Sequence, residues 1–315
     1  MILATLDNGT PDGRLVIVSP DRTHYALAPV ATMQAALDDW QAIEPVLQAV
    51  SQFPAPLDPA SVAAPLPRAW QWLDGSVYST HAELMQIAFG LPPLDTDRPL
   101  MYQGMSDRFY GPLEDVVLPS EDHGIDFEGE FGVITDRVPM GTDAAAALDH
   151  VKLVIQINDW SLRTLAPVEM KTGFGWVQAK PACAMAPFAV TPDELGAAWA
   201  DGRVGLDLHI RLNGQPFGRA NGRPMLFGFG ELIAHAAFSR NLPAGTIIGS
   251  GTVSNADYAQ VGSSCISEVR AIEMIAGGTA KTGFMRFGDS VSMEARDDRG
   301  TAVFGQINQK VIPCT

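Results

Sequence analysis

Asp126-Phe127-Glu128-Gly129-Glu130-Phe131-Gly132-Val133 is the stretch whose reading decides the fold. In an extended strand, alternate side chains share a face. Asp126, Glu128 and Glu130 then lie on one side, and Phe127, Phe131 and Val133 on the other. The aromatic and apolar side marks a strand packed on a core. The acidic side is a row of carboxylates about 7 Å apart, which repel one another unless water or a cation screens them. The strand is therefore either a solvated acidic face or one wall of a cation site.

Working outward, Val151-Lys-Leu-Val-Ile-Gln-Ile157 reads as a second strand. Asn158-Asp159 sits at its end, a common place for ligands, and Asp74 with His81 forms an isolated polar patch upstream. Hard oxygen donors of this kind select Mg²⁺, Ca²⁺ or Mn²⁺. No His-x-x-x-His and no paired cysteines offer a zinc-type site. Thr80-His-Ala-Glu83 matches a capping box, which places His81 in the first turn of a helix over 81–89. A helix N-terminus disfavours the imidazolium, and a neutral imidazole is what a general base requires. Histidines in capping turns are also commonly structural. Lys180 precedes Pro181 and so sits in extended backbone, either exposed or turned toward an oxyanion. Gly249-Ser-Gly-Thr252-Val-Ser-Asn255 is a tight loop able to present N–H groups to an anion. No phosphate-loop, dinucleotide or nucleophile-elbow motif is present.

Short strands are expected over 13–30, and a helix over 32–52 that Pro45 restarts. Pro54, Pro56, Pro59, Pro65 and Pro67 make the best linker candidate. The expected organisation is a small N-terminal domain, 1–65, and a larger β-rich domain with inserted helices, 66–315. In the latter, strands are expected at 204–212, 246–254, 265–275, 283–296 and 301–312. Asp143 caps a short helix at Ala144–Ala147, Thr191-Pro-Asp-Glu194 reads as a capping box, and 231–239 as a helix. Asp297-Asp-Arg-Gly300 marks a hairpin turn. The fold class is mainly β with inserted helices (α+β), without the regular rhythm of a doubly wound sheet.

A 315-residue chain with 46% apolar and 18% charged residues can bury a sizeable core. Its 36 acidic and 21 basic residues give a net charge of −15, which opposes nucleic-acid binding. No apolar run reaches the length of about 20 residues that a membrane helix needs. The N-terminus lacks the basic and apolar regions of a signal peptide. Three scattered cysteines read as reduced cytoplasmic thiols.

These residues, in this order, resemble the fumarylacetoacetate hydrolase family from about residue 68 onward. The resemblance rests on Phe127-Glu-Gly-Glu130, Asn158-Asp-Trp-Ser-Leu-Arg163, Lys180, Ile247-Ile-Gly-Ser-Gly-Thr-Val-Ser-Asn255, and Phe287-Gly-Asp289 with Gly305. Leu3-Ala-Thr-Leu and Asp12-Gly-Arg-Leu-Val also look like bacterial members with a short N-terminal domain. The resemblance implies a mixed β-sandwich roll, a homodimer, and a divalent ion on acidic ligands. It implies cleavage of a carbon–carbon bond in a 1,3-diketo acid from aromatic-compound breakdown such as tyrosine degradation. By the same resemblance Asp74, Glu128, Glu130 and Asp159 are the metal ligands and His81 the general base, with Glu268 orienting it. Arg163, Lys180 and Thr252 polarise or bind substrate, and Tyr102 contacts it. Ala166 stands where the family has a glutamine, a departure at the far end of the substrate. A 2-oxo acid decarboxylase, isomerase or hydratase on the same metal site is the alternative enzyme, and a Ca²⁺-stabilised noncatalytic β-protein the alternative from another class.

Overall fold

The computed structural model describes residues 1–90 and 97–314. Its centre is the run the sequence singled out. Gly129–Thr135 forms a strand buried along its whole length, and Val151–Asn158 pairs with it antiparallel, Ile157 opposite Glu130. From these two an eleven-stranded sheet extends both ways. On one side Thr246–Gly249 leads in parallel to Trp72–Gly75 and then antiparallel to Met101–Gly104. On the other, Ala189–Val190 leads to Ile2–Leu6, Arg14–Val18, His24–Leu27 and Ala55–Pro56. The N-terminal segment therefore continues the central sheet, with Ile2 paired to Val190 and Leu3 to Ala189.

A second sheet of five strands runs Gln215–Asn221, Asp207–Leu212, Ser290–Arg296, Ile307–Pro313 and Val116–Leu118. One core fills the space between the two sheets: Phe127, Phe131, Val133 and Val154 pack with Leu208, Ile210, Val291 and Met293. The opposite face of the large sheet is covered by helices Met33–Asp38 and Trp40–Gln48. There Leu37, Trp40 and Leu47 pack on Trp72, Ile134, Leu153 and Ile155. Both faces of Val151–Asn158 are thus buried, which is why that strand reads as a nearly unbroken apolar run. Its one interior polar side chain, Gln156, is satisfied across the sheets: Nε2 donates to the Met293 carbonyl and Oε1 accepts from Ala295 N–H.

The mixed-sheet reading holds, with four local corrections. Residues 266–277 form a helix rather than a strand. The break in the 32–52 helix falls at Asp39, and Pro45 lies inside the second piece. The helix carrying His81 begins at Ser79, its N-cap Tyr78 offers no side-chain bond, and the Thr80 capping box does not form. Thr191 makes no cap bond either, and its Oγ1 accepts from the Met1 ammonium instead. Asp143 does cap its helix, accepting from Ala145 and Ala146 N–H at 3.0 and 2.9 Å. The turn at Asp297 closes through Gly300 N–H.

Phe131 is fully buried, with its ring 6.1 Å from that of Phe304. Phe131→Ala is expected to lower unfolding stability by about 3–5 kcal/mol, the scale for emptying a buried aromatic site. It also loosens the strand next to Glu130. Denaturant melts read the first effect and metal titration the second; a loss below about 1 kcal/mol would show that the core collapses freely around the gap.

Candidate metal centre and active site

Asp74 and Glu130 stand on two strands and Asp159 just past the end of a third, Val151–Asn158, and one carboxylate oxygen of each lies within 4.8 Å of the others. All three residues are buried. Asp74 ends up here because Trp72–Gly75 runs beside Thr246–Gly249, with Asp74 in register with Gly249. A Cβ on Gly249 would lie 2.3 Å from Asp74 Oδ1, so only glycine lets the carboxylate fill that space. Gly251, at φ +76°, turns the next peptide so that its N–H donates to Asp74 Oδ1 at 3.1 Å.

The electrostatics of this group are unbalanced. Burial first, and the charge of Asp159 next, push the Asp74 carboxyl well above its ordinary range. Burial, then Asp74 and Asp159, do the same to Glu130. Neither oxygen of Glu130 has a hydrogen-bond partner. Buried, mutually repelling, undersatisfied carboxylates are the donor set that a divalent cation relieves, and their hard oxygens fit Mg²⁺, Mn²⁺ or Ca²⁺.

Asp159 is the best satisfied of the three. Its Oδ2 accepts from Tyr102 Oη at 2.7 Å and from Lys180 Nζ, and its Oδ1 accepts from Cys183 Sγ at 2.9 Å. Glu128, expected as a ligand with these three, is not among the converging oxygens, and its carboxylate meets two cations. Its Oε1 accepts from Ser161 Oγ, from Lys180 Nζ at 2.6 Å and from Arg163 Nη1 at 3.0 Å; its Oε2 accepts from Thr252 Oγ1. Burial opposes its charge, but Arg163 and Lys180 outweigh that and hold Glu128 well below the usual carboxylate range. Lys180, itself buried, is kept charged against desolvation by Asp159 and Glu128.

The expected single acidic strand is broken at Phe127-Glu128: Asp126 stands on a separate short strand, Ile125–Asp126, paired with Ser161–Leu162, and serves structure. Its carboxylate accepts from Ile266 and Ser267 N–H, capping the helix Ile266–Gly277, and from Arg163 Nε at 2.8 Å. Arg163 therefore has Nε and Nη1 tied down, while Nη2 is buried without a partner. That same helix delivers Glu268, fully buried, to the helix Ser79–Phe89 packed against it. His81 Nδ1 lies 3.8 Å from Glu268 Oε1, and Ser254 Oγ donates to that same oxygen. The His81 side chain is 16% exposed and its Nδ1 has no hydrogen-bond partner. The loop 249–255 thus connects the parts, touching Asp74 through Gly251, Glu128 through Thr252 and Glu268 through Ser254.

Every residue the sequence nominated falls in this region. Sequence reasoning missed Cys183, Ser161 and Ser254, which act through partners 24, 33 and 14 positions away. It also missed Trp176, whose ring lies 4.8 Å from that of Tyr102. No local pattern distinguishes these side chains. Among the described residues, no helix is long and apolar enough to cross a membrane.

Two family models match the chain: fumarylacetoacetate (FAA) hydrolase C-terminal over residues 71–312, and fumarylacetoacetase N-terminal domain 2 over residues 1–68. Among curated proteins, the chain is 29% identical over 163 residues to 2,4-didehydro-3-deoxy-L-rhamnonate hydrolase of Sphingomonas sp. (strain SKA58), an alignment covering 51% of this chain and 54% of that protein. The chain spans about half the length of the curated relatives it matches. Among solved structures, maleylpyruvate hydrolase from Sphingobium sp. SYK-6, in complex with manganese(II) ion and pyruvate, matches over 100% of both chains with TM-score 0.65 and 20% identity. A 5-carboxymethyl-2-hydroxymuconate delta-isomerase from Mycobacterium smegmatis matches over 100% of both chains with TM-score 0.64 and 18% identity. Those likenesses establish the fold, and the C-terminal family match, which spans most of the chain and every carboxylate of the centre, makes this protein a member of the fumarylacetoacetate hydrolase family.

Proposed function

We propose that the protein is a divalent-cation-dependent hydrolase that cleaves the carbon–carbon bond of a 1,3-diketo acid, of the fumarylacetoacetate or acylpyruvate type, in aromatic-compound breakdown. The observation that carries this reading is the buried group of Asp74, Glu130 and Asp159, with Glu130 unpartnered and Lys180 at its edge. These three carboxylates would hold the cation. When bound, Mg²⁺ or Mn²⁺ supplies Lewis acidity toward the two oxygens of an enolisable diketone.

The chain's own groups account for the rest. Arg163 Nη2 is the free donor for the carboxylate on the oxo-acid half of the substrate. His81, with Nδ1 turned toward Glu268, takes a proton from water at Nε2. The water oxygen bonds to the distal carbonyl carbon, and the Lys180 ammonium balances the oxyanion that forms. The carbon–carbon bond then breaks, its electron pair passing to the enolate of the departing oxo acid, a 2-oxo acid from an acylpyruvate or a 3-oxo acid from fumarylacetoacetate. The imidazolium returns its proton to that enolate carbon. One water enters; one carboxylic acid and one oxo acid leave.

Hydrolysis is favoured over isomerisation or decarboxylation by the His81–Glu268 pair, which supplies a base for water. A panel of acylpyruvates, fumarylacetoacetate and simple 2-oxo acids, incubated with Mg²⁺ or Mn²⁺, tests the assignment. Loss of the diketone ultraviolet band with equimolar release of both acids is expected. Carbon dioxide release, or a spectral shift without acid release, would transfer the protein to the decarboxylase or isomerase reading.

A further inference from the structure

Between Arg163 and Lys180 the chain makes a largely exposed strap containing the short helix Ala166–Met170. Glu169 knots it: its carboxylate accepts from the N–H groups of Val177, Gln178 and Ala179 at 2.9 to 3.2 Å. Phe174 and Val177 point out of the strap, 96% and 82% exposed. Trp176 turns the other way. Its ring meets Tyr102 edge-on at 73°, and Lys180 Nζ lies 5.7 Å from its centroid. Tyr102 and Lys180 both donate to Asp159, so the indole walls the same compartment as the carboxylate group. Trp176 as a whole is half-buried, but its Nε1 is buried and has no hydrogen-bond partner. An indole nitrogen is a donor only, and leaving it buried and unpaired is unfavourable.

We infer that Trp176 is a specificity-determining residue whose indole N–H donates to an oxygen on the acyl arm of the substrate. The inference rests on the diketo acid reading above and narrows it. The charged donors Arg163 and Lys180 suit the carboxylate on the oxo-acid half and the oxyanion. The neutral indole donor, set in an aromatic wall with Tyr102, suits what remains: a flat acyl arm carrying its own acceptor, a carboxylate or a hydroxyl. A site built around a buried donor discriminates against the analogue that lacks the acceptor, because the donor is then left unpaired. The selected class is therefore diketo acids with an oxygen at the far end, in preference to those ending in a plain alkyl group.

The experiment compares kcat/KM of the metal-loaded wild type and Trp176→Phe on three probes: acetylpyruvate, fumarylpyruvate and a 2,4-diketo acid with a hydroxylated acyl arm. Phenylalanine keeps an aromatic wall and removes the donor. The variant is expected to lose about tenfold more on an acceptor-bearing probe than on acetylpyruvate, mainly through KM. The fumarylpyruvate and hydroxylated arms show which acceptor the indole serves. A ratio of specificities is independent of the fraction of folded protein, so partial misfolding does not mask the result. Glu169→Ala, which unties the strap, should shift the ratio in the same direction. Equal losses on all three probes would overturn the inference while leaving the hydrolase reading intact. Absence of wild-type turnover on every diketo acid would sink both.

Discussion

Glu130→Gln is expected to abolish divalent-cation binding and turnover together, while leaving the metal-free protein at least as stable as the wild type. The two halves have one cause. Glu130 is buried with both carboxylate oxygens unpartnered, beside Asp74 and Asp159. Its charge is unfavourable in that setting, and a bound divalent cation would offset it. Glutamine keeps the volume and removes the charge, so the repulsion falls and the ion loses one of its three anionic donors. Wild-type melting temperature should climb with added Mn²⁺ by mass action, and that of the variant should not. The pH dependence follows from the raised carboxyls of Asp74 and Glu130. A carboxyl whose folded pKa is raised favours the protonated fold, so the metal-free protein loses stability as pH rises through and above the ordinary carboxylate range. The ion needs both groups ionised, so apparent metal affinity strengthens over the same interval. Calorimetry with Mn²⁺ at acid and neutral pH measures this directly. Unchanged affinity in Glu130→Gln would remove Glu130 from the ligand set.

The strand carrying Glu130 and Phe131 was legible because its period of two separates the apolar side chains from the carboxylate without any knowledge of neighbours, but the break at Phe127-Glu128 that puts Asp126 on another strand was not. The same pattern could not divide the carboxylates by role. Asp126 caps a helix, Glu128 balances Arg163 and Lys180, and Glu130 faces Asp74 and Asp159. Those assignments depend on what four other segments bring to the face. The helix at 266–277 was misread for a related reason. Ile266, Val269, Ile272 and Ile275 carry strand-forming branched side chains, and the group that starts the helix is Asp126, 140 positions away. Similarly, nothing within residues 1–65 shows that Ile2 and Leu3 will pair with Val190 and Ala189. The proline-rich stretch reads as a linker, yet the strands before it extend the central sheet. Local chemistry was readable from sequence; long-range partners were not.

His81→Ala is expected to lower kcat by about 10² to 10⁴ while leaving Mn²⁺ affinity close to wild type, the usual scale for losing a general base. The separation is possible because His81 stands on the helix Ser79–Phe89, outside the three-carboxylate group, and meets Glu268 rather than a metal ligand. Glu268 is fully buried, with one oxygen fixed by Ser254 and the other unpartnered. At 3.8 Å the imidazole and carboxylate are a step from a hydrogen bond, the longer spacing that catalytic pairs often have without substrate. Glu268→Gln keeps the side-chain shape but removes the charge that stabilises the imidazolium. It should therefore lose a large part of the same factor. The double variant then decides between one unit and two. If Glu268 acts through His81, adding Glu268→Gln to His81→Ala lowers kcat little further, since residues that work as a unit are strongly non-additive. Full multiplication of the two losses would mean that Glu268 serves the fold of its helix or another proton path. Near-normal hydrolysis by His81→Ala alone would end the case for a histidine base and leave the metal centre serving a reaction that needs none.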